Sequence, residues 1–194
     1  MNIRGKAAEN VMRGRRSKAA GEYFEGQIAK ALRFYEENGT VAMTKTPEPM
    51  RPIASIGNGK FIAHYVKAAQ VDFSGTLLGG RAIRFEAKQT DTDRFTRDRL
   101  TDEQMADLEK HQNLGAYCCV MICFGTDHFY RIPWNAWKEM RIVFGHQHII
   151  EEDVKDFRVK TERGIARILD PTPVEDIFNT EDYFVPRRKE ETHD

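Results

Sequence analysis

The sequence predicts an α/β (α+β) fold: a central sheet with helices packed on it, and a two-stranded hairpin projecting from one side. Three observations predict it. Ala20, Phe24, Ile28, Ala31, Leu32 and Tyr35 recur at helical spacing. Strand-sized apolar or alternating runs begin at Val41, Val71, Arg81, Ala116 and His128. Between the first two lies a basic stretch punctuated by Pro47, Pro49, Pro52 and Gly57-Asn58-Gly59, whose spaced prolines cannot serve a central strand.

Taken in order, Ser17 is placed to cap a helix running to about Glu37, stopped by Asn38-Gly39. Val41-Ala42-Met43 begins a strand. Ile53–Ile56 and Lys60–Val66 flank the Gly-Asn-Gly turn and make a protruding stalk over about 45–67. Such an isolated hairpin is marginal alone and needs a partner chain or nucleic acid to order it. Thr101-Asp102-Glu103-Gln104 reads as a capping box opening a second helix. Ala116–Phe124 and His128–Ile132 are two more strands of the same sheet, and Pro133 suits the first turn of a short helix carrying Trp134 and Trp137. From Pro171 onward the chain reads as an extended tail. The organisation is a basic arm (1–16), one main domain (17–170) and the tail (171–194).

The most informative stretch runs from Val71 to Lys88. Phe73–Leu77 and Arg81–Lys88 flank Leu78-Gly79-Gly80, where glycines supply the positive φ of a tight turn. If Leu77 faces Arg81, the same register sets Asp72 opposite Glu86, with Cβ atoms about 4.5–5.5 Å apart. Two carboxylates about 5 Å apart repel by roughly 3 kcal/mol at an effective dielectric near 20. A divalent cation between them returns that energy. Lys88 falls on the same strand face as Glu86, about 7 Å further along. Ile83, Phe85 and Ala87 then face the core and fix the register, since a one-residue slip would bury the charges. The pattern is that of a metal site with an adjacent cation; the other reading is a surface hairpin with solvated charges. Glu25 sits at the edge of the first helix's apolar stripe, where a carboxylate can face inward or stay solvated.

The chain has 194 residues, 40% hydrophobic and 31% charged, as a single soluble domain requires. No apolar run approaches the roughly 20 residues of a membrane span, and the N-terminus lacks a signal-peptide apolar region, so a cytoplasmic location is expected. Cys118, Cys119 and Cys123 share one buried strand, which argues for reduced thiols. His146-Gln147-His148 places two imidazoles on one strand face, without the further ligands of a tetrahedral zinc site. The formal net charge is zero, yet Arg4, Lys6, Arg13, Arg15, Arg16 and Lys18 face only Glu9 in the first twenty residues. That arm is either solvated or a phosphate-gripping element. Lys45, Arg51, Lys60 and Lys67 make the stalk basic as well.

The order of a helix with Glu25, a basic proline-rich excursion, Asp72, Glu86-Ala87-Lys88 and a helix with Gln104 resembles the RecU-type Holliday junction resolvases, including phage-borne relatives, of the PD-(D/E)xK nuclease superfamily. Lys45-Thr46-Pro47-Glu48-Pro49 is similar to the family's entry into its stalk, and Tyr65-Val66-Lys67 to its return strand. Phe85-Glu86-Ala87-Lys88, Thr90, Phe95, Leu100 and Gln104 follow the family pattern, one residue short before Phe95. Two features depart from it: Gln70-Val71 stands where the family often has two threonines, and the stalk is shorter than in cellular members.

The resemblance implies a restriction-endonuclease-like central mixed sheet flanked by helices. It implies a catalytic set of Glu25, Asp72, Glu86, Lys88 and Gln104, with Asp72, Glu86 and the Ala87 carbonyl holding Mg²⁺ (or Mn²⁺). DNA contacts would come from Arg13, Arg15, Arg16, Lys45, Arg51, Lys60 and Lys67. The implied partner is branched DNA, cut by a homodimer into 5′-phosphate and 3′-hydroxyl ends, with no membrane and no nucleotide cofactor. Another PD-(D/E)xK endonuclease of duplex or branched DNA, or a non-catalytic junction-binding protein, would share most of these features.

Overall fold

The computed structural model describes residues 3–47, 49–66 and 70–172. Glu48, Lys67, the side chain of Arg13 and the tail beyond Thr172 lie outside the described residues. Helix α1 spans Ile3–Glu37. It buries Phe24, Ile28, Ala31, Leu32 and Tyr35, as the periodicity predicts, while Ala20 is half-buried at the edge of the stripe. Ser17 does not cap it. The preceding segment, rich in Ala, Arg, Lys, Glu and Met, has good helix propensity and no proline, so the helix continues back to Ile3. Gly14 and Gly21 each cost about 1 kcal/mol relative to alanine, too little to stop it.

Strand β1 is Val41–Lys45. Strands β2 (Met50–Gly57) and β3 (Lys60–Tyr65) form a separate antiparallel hairpin. Pro52, which has no N–H to donate, sits where the β2–β3 ladder shifts register. Met50, Ile53, Ile56, Phe61, Ile62 and Tyr65 of this hairpin are all exposed.

Strands β4 (Phe73–Leu77) and β5 (Ala82–Thr90) form the second hairpin. Strand β6 (Phe95–Thr96) and a 3-10 turn at Arg97–Arg99 lead to helix α2 (Asp102–Asn113). Then come β7 (Tyr117–Phe124), β8 (His128–Pro133), the short helices α3 (Trp134–Lys138) and α4 (Met140–Phe144), and β9 (His148–Ile149). Pro133 ends β8 and precedes the helix, one position earlier than the sequence suggests, because its extended backbone still pairs with Cys119.

The main sheet has the order β1-β4-β5-β7-β8 and is mixed: β5 and β7 pair in parallel, every other neighbour antiparallel. A parallel pair needs a crossover, which α2 supplies. The hairpin register is the predicted one: Thr76 faces Ala82, Phe73 faces Phe85, and Leu77 N–H donates to the Arg81 carbonyl at 2.8 Å. Gly75 lies where β1 presses on β4; a Cβ there would collide with the Ala42 carbonyl oxygen.

Both faces of the sheet are covered. One core packs α1 against Phe73, Ile83, Phe85, Cys119 and Met121; the other packs α2 and α3 against Cys118, Val120 and Ile122. Cys118 and Cys119 thus point to opposite faces, and all three cysteines are free and buried. Burial pushes the Cys118 and Cys123 thiols up to about 12, far from reactive. Among the described residues no helix is long and apolar enough to cross a membrane.

Candidate nuclease site

The site forms where β4 begins and β5 is still running. Leaving β1 at Lys45, the chain makes one bond back to the site, from Thr46 N–H to the Asp72 carbonyl at 2.7 Å, and then enters the exposed hairpin. The hairpin closes on itself at its root through Val66 N–H to the Pro49 carbonyl, at 2.9 Å. The root of the stalk and the first carboxylate therefore share one end of the sheet.

The β4–β5 ladder ends at Phe73–Phe85. Beyond it the carboxylates take over. Asp72 N–H donates to Glu86 Oε2 at 3.2 Å, and Ala87 N–H donates to Asp72 Oδ2 at 3.0 Å. Each acidic side chain is thus held by the strand opposite. Strand alternation turns the Ala87 carbonyl toward the same edge as its N–H, which adds a third oxygen beside the two carboxylates.

Glu86 is the buried member, 1% exposed, whereas the sequence suggested a charged face open to solvent. The reason is the crossover: α2 lies over the β5 face that carries Arg84, Glu86 and Lys88. Lys88 Nζ meets Glu86 Oε1 at 2.7 Å, and Gln104 Nε2 donates to the same oxygen at 2.5 Å. Burial, and next the charge of Asp72, push the Glu86 carboxyl up to about 7, with Lys88 opposing them.

Gln104 does two jobs. Its Oε1 accepts from Thr101 N–H at 3.1 Å while Thr101 Oγ1 accepts from Gln104 N–H at 3.3 Å, the capping box the sequence predicts. Its amide NH₂ remains for Glu86.

Asp72, Glu86, Ala87, Lys88 and Gln104 therefore converge. Glu25 does not join the carboxylate pair; its Oε2 meets Lys45 Nζ at 2.5 Å, and no group of three or more acidic, His or Cys side chains converges among the described residues. Lys45 is itself one of the expected DNA contacts. Arg51 and Lys60 are exposed on the hairpin, and Arg15 and Arg16 on α1. The rings of His146 and His148 stack with centroids 3.9 Å apart, and only His148 belongs to a strand.

Two residues the sequence did not single out border the site. Arg84 Nη1 meets Asp107 Oδ2 at 2.7 Å. The signal was available: Arg84 is two residues before Glu86 on one strand face, and Asp107 three after Gln104 on one helix face.

As a donor set, two carboxylates and a carbonyl fit a hard, oxygen-seeking divalent cation such as Mg²⁺ or Mn²⁺ and not zinc. An adjacent pair of carboxylates, one of them buried, is an electrostatic deficit that such an ion would offset.

No curated protein matches the chain. Among solved structures, the chain is similar to the Holliday junction resolvase Hjc of Archaeoglobus fulgidus, at 14% identity over 70% of this chain and 92% of that one, with a TM-score of 0.42. The model of the RecU family, described as Recombination protein U, matches residues 19–170, which include every residue of the converged site. The chain belongs to the RecU family of recombination proteins.

Proposed function

We propose that this protein is a Holliday junction resolvase: a nuclease that hydrolyses phosphodiester bonds in four-way DNA junctions with a divalent cation, Mg²⁺ or Mn²⁺, held by Asp72, Glu86 and the Ala87 carbonyl. The observation that carries the reading is the interlocked pair of Asp72 and Glu86 with Lys88 on the buried carboxylate.

When bound, the cation supplies Lewis-acid polarisation of the scissile phosphate and eases deprotonation of the attacking water. The protein's own groups do the rest. Asp72 and Glu86 are fixed by backbone N–H groups, so they need no reorganisation to accept the ion. Lys88, partly exposed beside the buried carboxylate, is placed to offset negative charge that grows on the phosphate. Gln104 holds Glu86 Oε1 in place.

Glu25 serves at the edge of the site and is paired with Lys45 until DNA draws that lysine to a phosphate. Lys45 at the end of β1, Arg51 and Lys60 of the hairpin, Arg13, Arg15 and Arg16 of α1, together with Lys67, contact the DNA backbone. The exposed apolar side chains of the hairpin suit the open centre of a junction better than a smooth duplex, where phosphates dominate the surface. Two nicks of like polarity require two sites, so the working unit is a two-fold homodimer. The nuclease domain spans 17–170, and the basic residues before it continue its first helix back to Ile3.

The test is cleavage of a synthetic four-way junction against a linear duplex of the same sequence, with Mg²⁺. Paired symmetric nicks in the junction and little cutting of the duplex are expected. Equal cutting of both would assign a general endonuclease, and binding without cutting a junction-binding protein.

A further inference from the structure

Helix α2 touches the site strand at more than one point. Gln104 Nε2 reaches Glu86 Oε1 at 2.5 Å, and Asp107 Oδ2 reaches Arg84 Nη1 at 2.7 Å. Arg84 and Glu86 are about 7 Å apart along the strand, while Gln104 and Asp107 are separated by about 4.5 Å of helical rise. The longer arginine spans the difference. The later helix residue meets the earlier strand residue, so α2 runs opposite to β5 at this contact. The turn just past its far end is tied by Arg81 Nε to the Gly115 carbonyl at 3.0 Å.

Leu108 is the one fully buried side chain of α2, with Met105 packed beside it, and Glu109 and Gln112 tie its last turns to α3 and β7, which leaves Arg84–Asp107 as the directional bond nearest Gln104. Apolar contact is non-directional and tolerates sliding. A charge-assisted bond of 2.7 Å does not. Arg84 and Asp107 side chains are 22% and 16% exposed, and such a half-buried ion pair adds little stability while its fixed geometry favours one register over its neighbours. His111 Nε2, one turn further on, lies 3.6 Å from the other Asp107 oxygen, beyond hydrogen-bond reach, and leaves Arg84 as the partner that orients that carboxylate.

We propose that Arg84 and Asp107 form a positioning pair: they set the slide and rotation of α2 on β5, and thereby the reach of Gln104 to the metal-binding carboxylate Glu86. This rests on the functional reading above. In this role both act through Gln104.

The experiment measures Mn²⁺ affinity of the DNA-free protein by electron paramagnetic resonance, junction affinity in Ca²⁺, and single-turnover junction cleavage in Mg²⁺. Asp107→Asn is expected to weaken Mn²⁺ binding and slow cleavage by about tenfold each, the range seen when a metal ligand loses its orienting partner. Junction affinity should stay within about twofold, because phosphate contacts are distributed elsewhere. Gln104→Ala should give the same deficits, and the Asp107→Asn/Gln104→Ala double variant should be no worse than the poorer single one, as residues acting in one chain require. The apolar pair Arg84→Met/Asp107→Leu guards against a folding defect. It should melt like the parent yet show the same loss of Mn²⁺ affinity. Multiplying deficits in the double variant, or parental Mn²⁺ affinity and rate in the apolar pair, would overturn the proposal. A parent protein that binds Mn²⁺ but cuts no junction would defeat the functional reading alone, and the Mn²⁺ affinities of the variants would still decide the positioning role.

Discussion

Gln104 closes the capping box of its own helix with one end of its amide and holds Glu86 Oε1 at 2.5 Å with the other. A helix start and a buried carboxylate are thereby fixed by one side chain. The two roles separate by substitution. Gln104→Glu keeps the cap acceptor but sets a third carboxylate against Glu86, so at pH 8 it should lose cleavage by at least about tenfold, and the melting temperature it loses to the clash of charges should return as the pH falls to 5. Gln104→Ala should lose both, with about 1 kcal/mol of stability from the broken cap. Equal cleavage by Gln104→Glu and the parent would remove the amide from the mechanism.

The buried Glu86 gives a pH signature in the metal-free protein. Its carboxyl rises from the ordinary 4.5 to about 7 on folding. Between these values the folded state holds a proton that the unfolded state has lost, so this group's contribution falls as pH rises through the window. The shift corresponds to roughly 3 kcal/mol at most. Glu86→Gln should therefore gain stability relative to the parent between pH 5 and pH 8, and saturating Ca²⁺ should shrink the difference at pH 8. Chemical denaturation of both proteins across that range checks it; parallel profiles would contradict it.

Trimming the hairpin at Gly57-Asn58-Gly59 should weaken junction binding far more than duplex binding. Neutralising Arg15 and Arg16 on α1 should weaken both substrates alike and flatten the salt dependence by about one unit of slope for each phosphate no longer neutralised. Binding isotherms at several salt concentrations separate the two effects. A trimmed protein that still prefers junctions as strongly as the parent would refute the stalk's role.

Mixed dimers of parent and Glu86→Gln chains, isolated with two tags, should bind junctions normally and leave a single nick per binding event. A monomeric mass by light scattering at micromolar concentration, with paired nicking retained, would rule out the two-fold unit.

What could be read from the sequence was local. The Asp72–Glu86 register followed from Gly79-Gly80 and a period-two pattern whose slippage would misplace Ile83 and Phe85. The capping box at Thr101 was likewise a four-residue signal. The misreadings came from competition or from distance. Ser17 carried a cap signal, but the propensity of the residues before it outweighed that signal and extended α1 to Ile3. The burial of Glu86 depends on α2 crossing over its face, and the Arg84–Asp107 pair joins residues 23 positions apart. Glu25 was legible as an edge residue, yet its Lys45 partner lies on a strand beyond the helix end.

If Asp72 and Glu86 hold a cation that the cleavage step requires, neither carboxylate can be lost without losing cleavage. The most direct measurement is single-turnover cleavage of a four-way junction in Mg²⁺ by the parent, Asp72→Asn and Glu86→Gln, each at protein concentrations that saturate the junction in Ca²⁺. The expected result is paired nicking by the parent, no detectable cleavage by either variant, and junction affinities in Ca²⁺ that differ little among the three. Cleavage by either variant at the parental rate would contradict it.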